Sequence, residues 1–429
     1  MKLSHLLLPL LLLLTGCVSA APAGESLDSI ARDYVKLQLA IGEKEEGYID
    51  AYYGPAQWQA EAKTATHALP ELAARAGTLA VRLRSLADSR LGPIERRRRD
   101  FLLAQLRAAS TRLRMMQGEK LAFADEAEGL FGVRPELKPL SAYDPVLARL
   151  ERLVPGTGAL ADRVDALQER FIVPKDRLEP VMRAAIAECR RRTLEHIALP
   201  ANERVTLEFV TGKSWGGYNW YKGDANSLIQ VNTDLPTRIG RAVDLGCHEG
   251  YPGHHVYNML LEDKLAKGRG WVEYTIYPLY SPQSFIAEGS ANYGIELAFP
   301  GDEQLAFESR TLYPLAGLSP AGAARYLELQ HAMRDLAGAR FTIAADYLDG
   351  RITRATAVEL TRKYQLVSPA RADKSVAFID QYRSYVINYG LGQDMARAYV
   401  EGAGADPAAR WAAMEKILSE PTLPGDLRR

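Results

Sequence analysis

Three of the chain's seven histidines fall within eight consecutive residues, His248-Glu249-Gly250-Tyr251-Pro252-Gly253-His254-His255. Imidazoles gathered around a carboxylate are typical of a metal site, and packing gives no reason for such a cluster. In the zinc signature H-E-x-x-H, residues i and i+4 share one helix face, so both imidazoles reach one ion while the intervening glutamate serves as general base. Here the fifth position is Pro252. On an unbroken helix His255 would share a face with His248 but stand about 10.5 Å along the axis. That is too far for two nitrogens that must each lie about 2.0–2.1 Å from one zinc. His254 would point to a different face. Pro252, however, lacks an amide hydrogen and its ring collides with the preceding turn, while Gly253 tolerates unusual dihedrals. The Pro-Gly pair is therefore expected to act as an insertion that brings His254 to the second ligand position. His255 then either supports the ligands from behind or takes that position itself.

Catalytic zinc usually has three protein ligands and an open position. The third is sought in Phe285-Ile286-Ala287-Glu288-Gly289-Ser290-Ala291-Asn292-Tyr293, where Glu288 interrupts apolar and small residues. A buried carboxylate needs a partner, and a metal or a buried arginine would serve. Glu296, two turns on, is a weaker candidate. One Zn2+ per chain is expected, with manganese and cobalt as alternatives that donor type does not separate.

The elements that must hold these residues are mainly helical. From Leu27 the apolar positions Ile30, Ala31, Tyr34, Leu37 and Ala40 follow helical spacing, with Ser26 or Ser29 as cap. Further helical runs are read at about 70–88, 94–117, 143–153, 158–171 and 175–198. The segment from Gly47 to Pro55 reads as a turn-rich aromatic stretch used for packing. Alternation predicts strands at Val205–Val210 and Ser227–Asn232. Between them Trp215-Gly216-Gly217-Tyr218-Asn219-Trp220-Tyr221 reads as a hairpin connection or ligand-facing loop. Helical patterning then resumes at about 236–266, 282–298, 302–312, 320–348, 355–364, 375–400 and 406–419. The expected fold is mainly α, with one small β-sheet near residues 204–233 and residues 25–429 forming one domain.

The string H-E-G-Y-P-G-H-H, followed about forty residues later by E-G-S-A-N-Y, resembles a bacterial family of uncharacterised secreted and lipid-anchored candidate zinc metallopeptidases. That family carries H-E-x-x-P-G-H-H and E-G-W-A-L-Y and is related to the gluzincins. Leu228–Thr233 is similar to its N-T-containing strand, and Ser384-Tyr385 to Tyr389-Gly390 to its late S-Y-x-x-G segment. This chain departs from the pattern at Ser290 and Asn292, and in a longer spacing between Tyr385 and Gly390. The resemblance implies a large helical, zincin-like domain of gluzincin type, a zinc ion and hydrolysis of a peptide substrate. His248, His254 and Glu288 would then be the metal ligands and Glu249 the base, with Tyr385 or Tyr389 donating to the oxyanion. The strand at 228–232 is a candidate for holding an extended peptide by edge addition, or else an ordinary internal strand. Two other readings stay open: a non-catalytic envelope lipoprotein that binds peptide or metal, and a hydrolase of another amide or ester.

Residues 1–24 carry Lys2, a leucine-rich run from Leu6 to Leu14, and then Leu14-Thr15-Gly16-Cys17. The run is shorter than the roughly 20 residues that span a bilayer, and small residues follow it. A lipoprotein signal is expected, with Cys17 as lipid anchor; the alternative is plain cleavage after Ala20 or Ala21. The folded part is placed outside the cytoplasm, on the periplasm-facing outer membrane, attached by lipid only. Cys189 and Cys247 are read as small buried hydrophobes, with no disulfide expected. The 429 residues, 47% hydrophobic and 25% charged, suit a globular chain rather than a disordered one. Lysine plus arginine and aspartate plus glutamate balance at 53 each, so no field favours nucleic acid. The run Arg96–Arg99 reads as a solvated helix face.

Overall fold

A computed structural model describes residues 26–428. The leader and Cys17 lie outside the described residues. The fold is mainly helical with small sheets. Leu27–Gly42 begins where Ser26 and Ser29 exchange side-chain and backbone hydrogen bonds, and its apolar stripe is buried. It packs against Leu69–Ser85 and Pro93–Met116. Two helices absent from the sequence reading, Ala56–Thr64 and Phe123–Phe131, are nine residues each. The first buries only Ala62, so it offered no stripe to read. No helix among the described residues is long and apolar enough to cross a membrane.

Among the described residues, two sheets occur instead of one. The aromatic stretch after Gly47 contains β1 (Ile49–Tyr52). The first sheet has three strands: β2 (Arg204–Val210), β3 (Gly217–Gly223) and β4 (Asn226–Asn232), in the order β2-β4-β3. The second pairs β1 with β5 (Ile276–Pro278), antiparallel. The expected aromatic connection is thus strand β3, whose burial alternates with Asn219 and Tyr221 facing inward. Asn219 is tolerated there because its Nδ2 donates to Glu249 O at 2.7 Å and its Oδ1 accepts from Ser227 Oγ at 3.1 Å. Because β4 is paired on both sides, parallel to β2 and antiparallel to β3, it has no edge to offer a peptide. The edge-addition reading of 228–232 is therefore corrected, and the alternative of an internal strand holds.

The helix expected over 236–266 is broken. Gly240–Leu245 passes into a wide π-type turn at Gly246–Gly250, the chain extends through Tyr251, and helix restarts at His254–Leu261. A disulfide joins Cys189, on the helix Leu178–Leu194, to Cys247 in that turn, with Cα atoms 5.3 Å apart. This corrects the expectation of two free thiols. Both residues are buried as anticipated, but their pairing depends on close backbone packing that a separation of 58 residues does not advertise. A Cβ at Gly246 would lie 3.1 Å from Ile186 N, so a side chain there would crowd the close approach of the turn to that helix.

Pro282–Ala298 is buried along nearly its whole length. It meets Ile387–Glu401 main chain to main chain, since a Cβ at Gly289 would lie 2.4 Å from the carbonyl carbon of Gly392. These two helices, the broken one and β3 surround a single cleft.

Candidate metal centre

The backbone path through Tyr251-Pro252-Gly253 decides which histidine faces which way. Gly253 N donates to Cys247 O at 3.0 Å, folding the chain back over the wide turn. A Cβ at Gly253 would fall 1.9 Å from His248 O, so no other residue fits. The helix that restarts there places the His254 ring 4.6 Å from the His248 ring, nearly perpendicular to it. Its neighbour His255 faces the opposite way. There Nδ1 meets Ser227 Oγ at 2.8 Å and Nε2 meets Glu203 Oε2 at 3.2 Å. Both ring nitrogens of His255 are thus occupied away from the cleft. Glu203 is pulled down to about 2: burial opposes this, but His255, Tyr251 and Arg190 all bond to it.

Glu288 completes the group from the neighbouring helix. Its Oε2 lies 3.1 Å from His248 Nε2 and 3.7 Å from His254 Nε2. Oε1 accepts from Tyr385 OH at 2.8 Å. Oε2 is buried yet makes no well-directed hydrogen bond, so an acceptor atom is left facing two imidazoles. Burial alone would push this carboxyl up, but His254 and His248 outweigh it and hold it well below the usual carboxylate range. Glu296, by contrast, bonds to Arg334, Arg397 and Gln393 and belongs to another surface.

Glu249 stands close to the same imidazoles. The candidate ligand atoms of His248, Glu249 and His254 all lie within 4.8 Å of one another. Two carboxylates therefore lie near the histidine pair, and Glu288 is the one whose Oε2 lies 3.1 and 3.7 Å from the two Nε2 atoms. Burial raises the Glu249 carboxyl above its ordinary value, as suits a proton acceptor. Space for it comes from Gly217 of β3, where a Cβ would sit 2.8 Å from Glu249 Oε1.

Of the two late tyrosines, Tyr385 is committed to Glu288, whereas the Tyr389 ring lies 6.3 Å from the His248 ring and lines the cleft. Three contributors escaped the sequence reading. Asn292 bonds His248 Nδ1, and its position four residues after Glu288, on the same helix face, was the available signal. Asp50 of β1 faces the cleft, hydrogen-bonded by Tyr218 and pushed up to about 6 by burial. Nothing local marked it. Arg340 also lines the cleft, which has a volume of about 620 Å³.

No family model matches the chain, and no curated protein matches it. The family resemblance thus rests on the motif residues alone. Among solved structures, a candidate lipoprotein from Colwellia psychrerythraea is 17% identical, with 82% of this chain and 69% of that one covered, at a TM-score of 0.49. A candidate lipoprotein of unknown function from Shewanella oneidensis is 13% identical over 93% of this chain and 81% of that one, also at 0.49. An M32 carboxypeptidase from Deinococcus radiodurans is 14% identical over 94% and 92%, at 0.40. At these scores the likenesses are remote and say nothing of chemistry at the His248 cluster.

Proposed function

We propose that the chain is a metal-dependent hydrolase, a zinc metallopeptidase that binds one ion through His248, His254 and Glu288. The observation that carries this is the buried Glu288 Oε2, which has no well-directed hydrogen bond and stands 3.1 and 3.7 Å from two imidazole nitrogens. A polar atom so placed is costly unless something binds it. Two imidazoles and a carboxylate match the donor set of hydrolytic zinc sites. An ion held there supplies Lewis acidity that polarises a carbonyl and makes water more acidic.

The chain's own groups account for the rest. Glu249 lies beside the histidine pair, holds no metal in this reading, and accepts the proton of the attacking water before passing it to the leaving amine. Tyr389 borders the same space and is the better placed phenol to donate to the developing oxyanion, because Tyr385 holds Glu288. The strand beside the site with only one bonded neighbour is β3, which makes it, and not β4, the element suited to align an extended peptide. Export to an oxidising compartment is supported by the Cys189–Cys247 bond and by the leader with Cys17.

The test is direct. Metal-analysed protein is incubated with a mixed peptide library, with and without chelator, and products are read by mass. Chelator-sensitive cleavage at backbone amides is expected. Protein that holds stoichiometric zinc yet leaves every peptide intact would favour the reading as a non-catalytic envelope lipoprotein that binds peptide or metal.

A further inference from the structure

The cleft is lined by both carboxylates and cations. Asp50, Asp244, Glu249 and Glu288 line it together with Arg241, Arg340, Arg371 and Lys374. Three of those four cations are engaged within the protein. Lys374 pairs with Asp234 at 3.0 Å, Arg241 pairs with Asp244, and Arg371 donates to Pro236 O at 2.7 Å. Arg340, on the helix Ala337–Leu348, is different. Its Nε is buried without a hydrogen-bond partner, and its guanidinium rests over the Phe378 ring at 5.2 Å. Burial depresses its pKa, and Tyr389 is the group that works against this. A cation–π contact of this sort leaves the N–H donors unfilled.

The position of this cation relative to the reacting centre follows from ring contacts. Arg340 lies on Phe378, Phe378 is 6.0 Å from Tyr389, and Tyr389 is 6.3 Å from His248. Those contacts bound its separation from the histidines to the reach of about five extended residues, at about 3.3–3.6 Å each. A guanidinium presents a planar fork that matches a carboxylate in two parallel hydrogen bonds.

We infer that Arg340 forms a carboxylate subsite of the cleft, and that the substrates are peptides bearing a carboxylate within a few residues of the cleaved bond. This rests on the hydrolase reading for the word substrate, but the subsite itself does not need turnover. A free C-terminus and an acidic side chain share the required chemistry.

Labelled peptides in three matched forms separate these sources: free C-terminus, C-terminal amide, and a single internal Asp exchanged for Asn. Each is titrated by fluorescence anisotropy against the Glu249→Gln protein, so that affinity is read without cleavage. Loss of the relevant carboxylate is expected to weaken binding about tenfold or more, as for a charged hydrogen-bond pair. Arg340→Met, with its fold checked by circular dichroism and its zinc content measured, should abolish that difference, and Arg340→Lys should restore part of it. Equal affinity for all three peptides, or discrimination that survives Arg340→Met, would overturn the subsite. Discrimination without any cleavage by the wild type would instead sink the hydrolase reading and leave the subsite standing.

Discussion

His248 Nδ1 lies 2.8 Å from Asn292 Oδ1. The same amide donates through Nδ2 to Tyr389 O at 2.9 Å, which fixes its orientation and leaves only the oxygen to face the imidazole. His248 Nδ1 therefore carries a proton donated to Asn292, and Nε2, turned toward Glu288, is the nitrogen left for a metal to bind.

Asn292→Leu should weaken zinc binding about 10- to 100-fold, the usual cost of losing such an orienting partner. Competition against a chromophoric chelator measures this. Unchanged affinity would mean that helix packing alone orients the ring.

Glu249→Gln should keep one zinc per chain and lower kcat by about 10²–10⁴-fold. Zinc stoichiometry and turnover are read on the same sample. Full activity in this variant removes Glu249 from the role of base.

The two adjacent histidines should separate cleanly. His254→Ala is expected to lose zinc, whereas His255→Ala should keep it and lose about 1–3 kcal/mol of stability as Ser227 and Glu203 are left with unmet partners. Metal analysis and denaturant midpoints distinguish the two outcomes. The reverse pattern would make His255 the ligand.

Glu308 gives a pH prediction remote from the cleft. Burial pushes its carboxyl up to about 7, and Gln304 Nε2 donates at 2.8 Å to Oε1 while Oε2 has no partner. Since the value in the unfolded chain is near 4.5, the folded state holds the extra proton between roughly pH 4.5 and 7. Stability is thus full below that window and falls as pH rises through it, by about 3 kcal/mol. Thermal unfolding across this range should show the slope, and Glu308→Gln should flatten it. A slope retained in the variant would assign it to another group.

What the sequence disclosed depended on whether the signal was local. Ser26, the stripe from Ile30 to Ala40 and the alternation at 205–210 and 227–232 are short-range patterns, and each element formed. The pairing of Ile49–Tyr52 with Ile276–Pro278 joins short strands from distant parts of the chain, so neither announced itself. At the site, Pro252 and Gly253 told that the helix must break, but only the backbone path told which histidine turns toward Glu288. Asn292 looked like a departure from the resembled motif, yet it is the partner of His248. Arg340 sits in an ordinary helical pattern, and only the assembled cleft sets it apart.

Gly289 and Gly392 leave no gap between the acid-bearing helix and the helix that carries Tyr389. Adding one methyl group on either side would act as a wedge, tilting both rods and altering the spacing between Glu288 and Tyr389 together. The gauge of the reaction chamber is set behind its wall, at a point no substrate touches, so substitutions that retune it should be sought there as well as among the residues that meet the ligand.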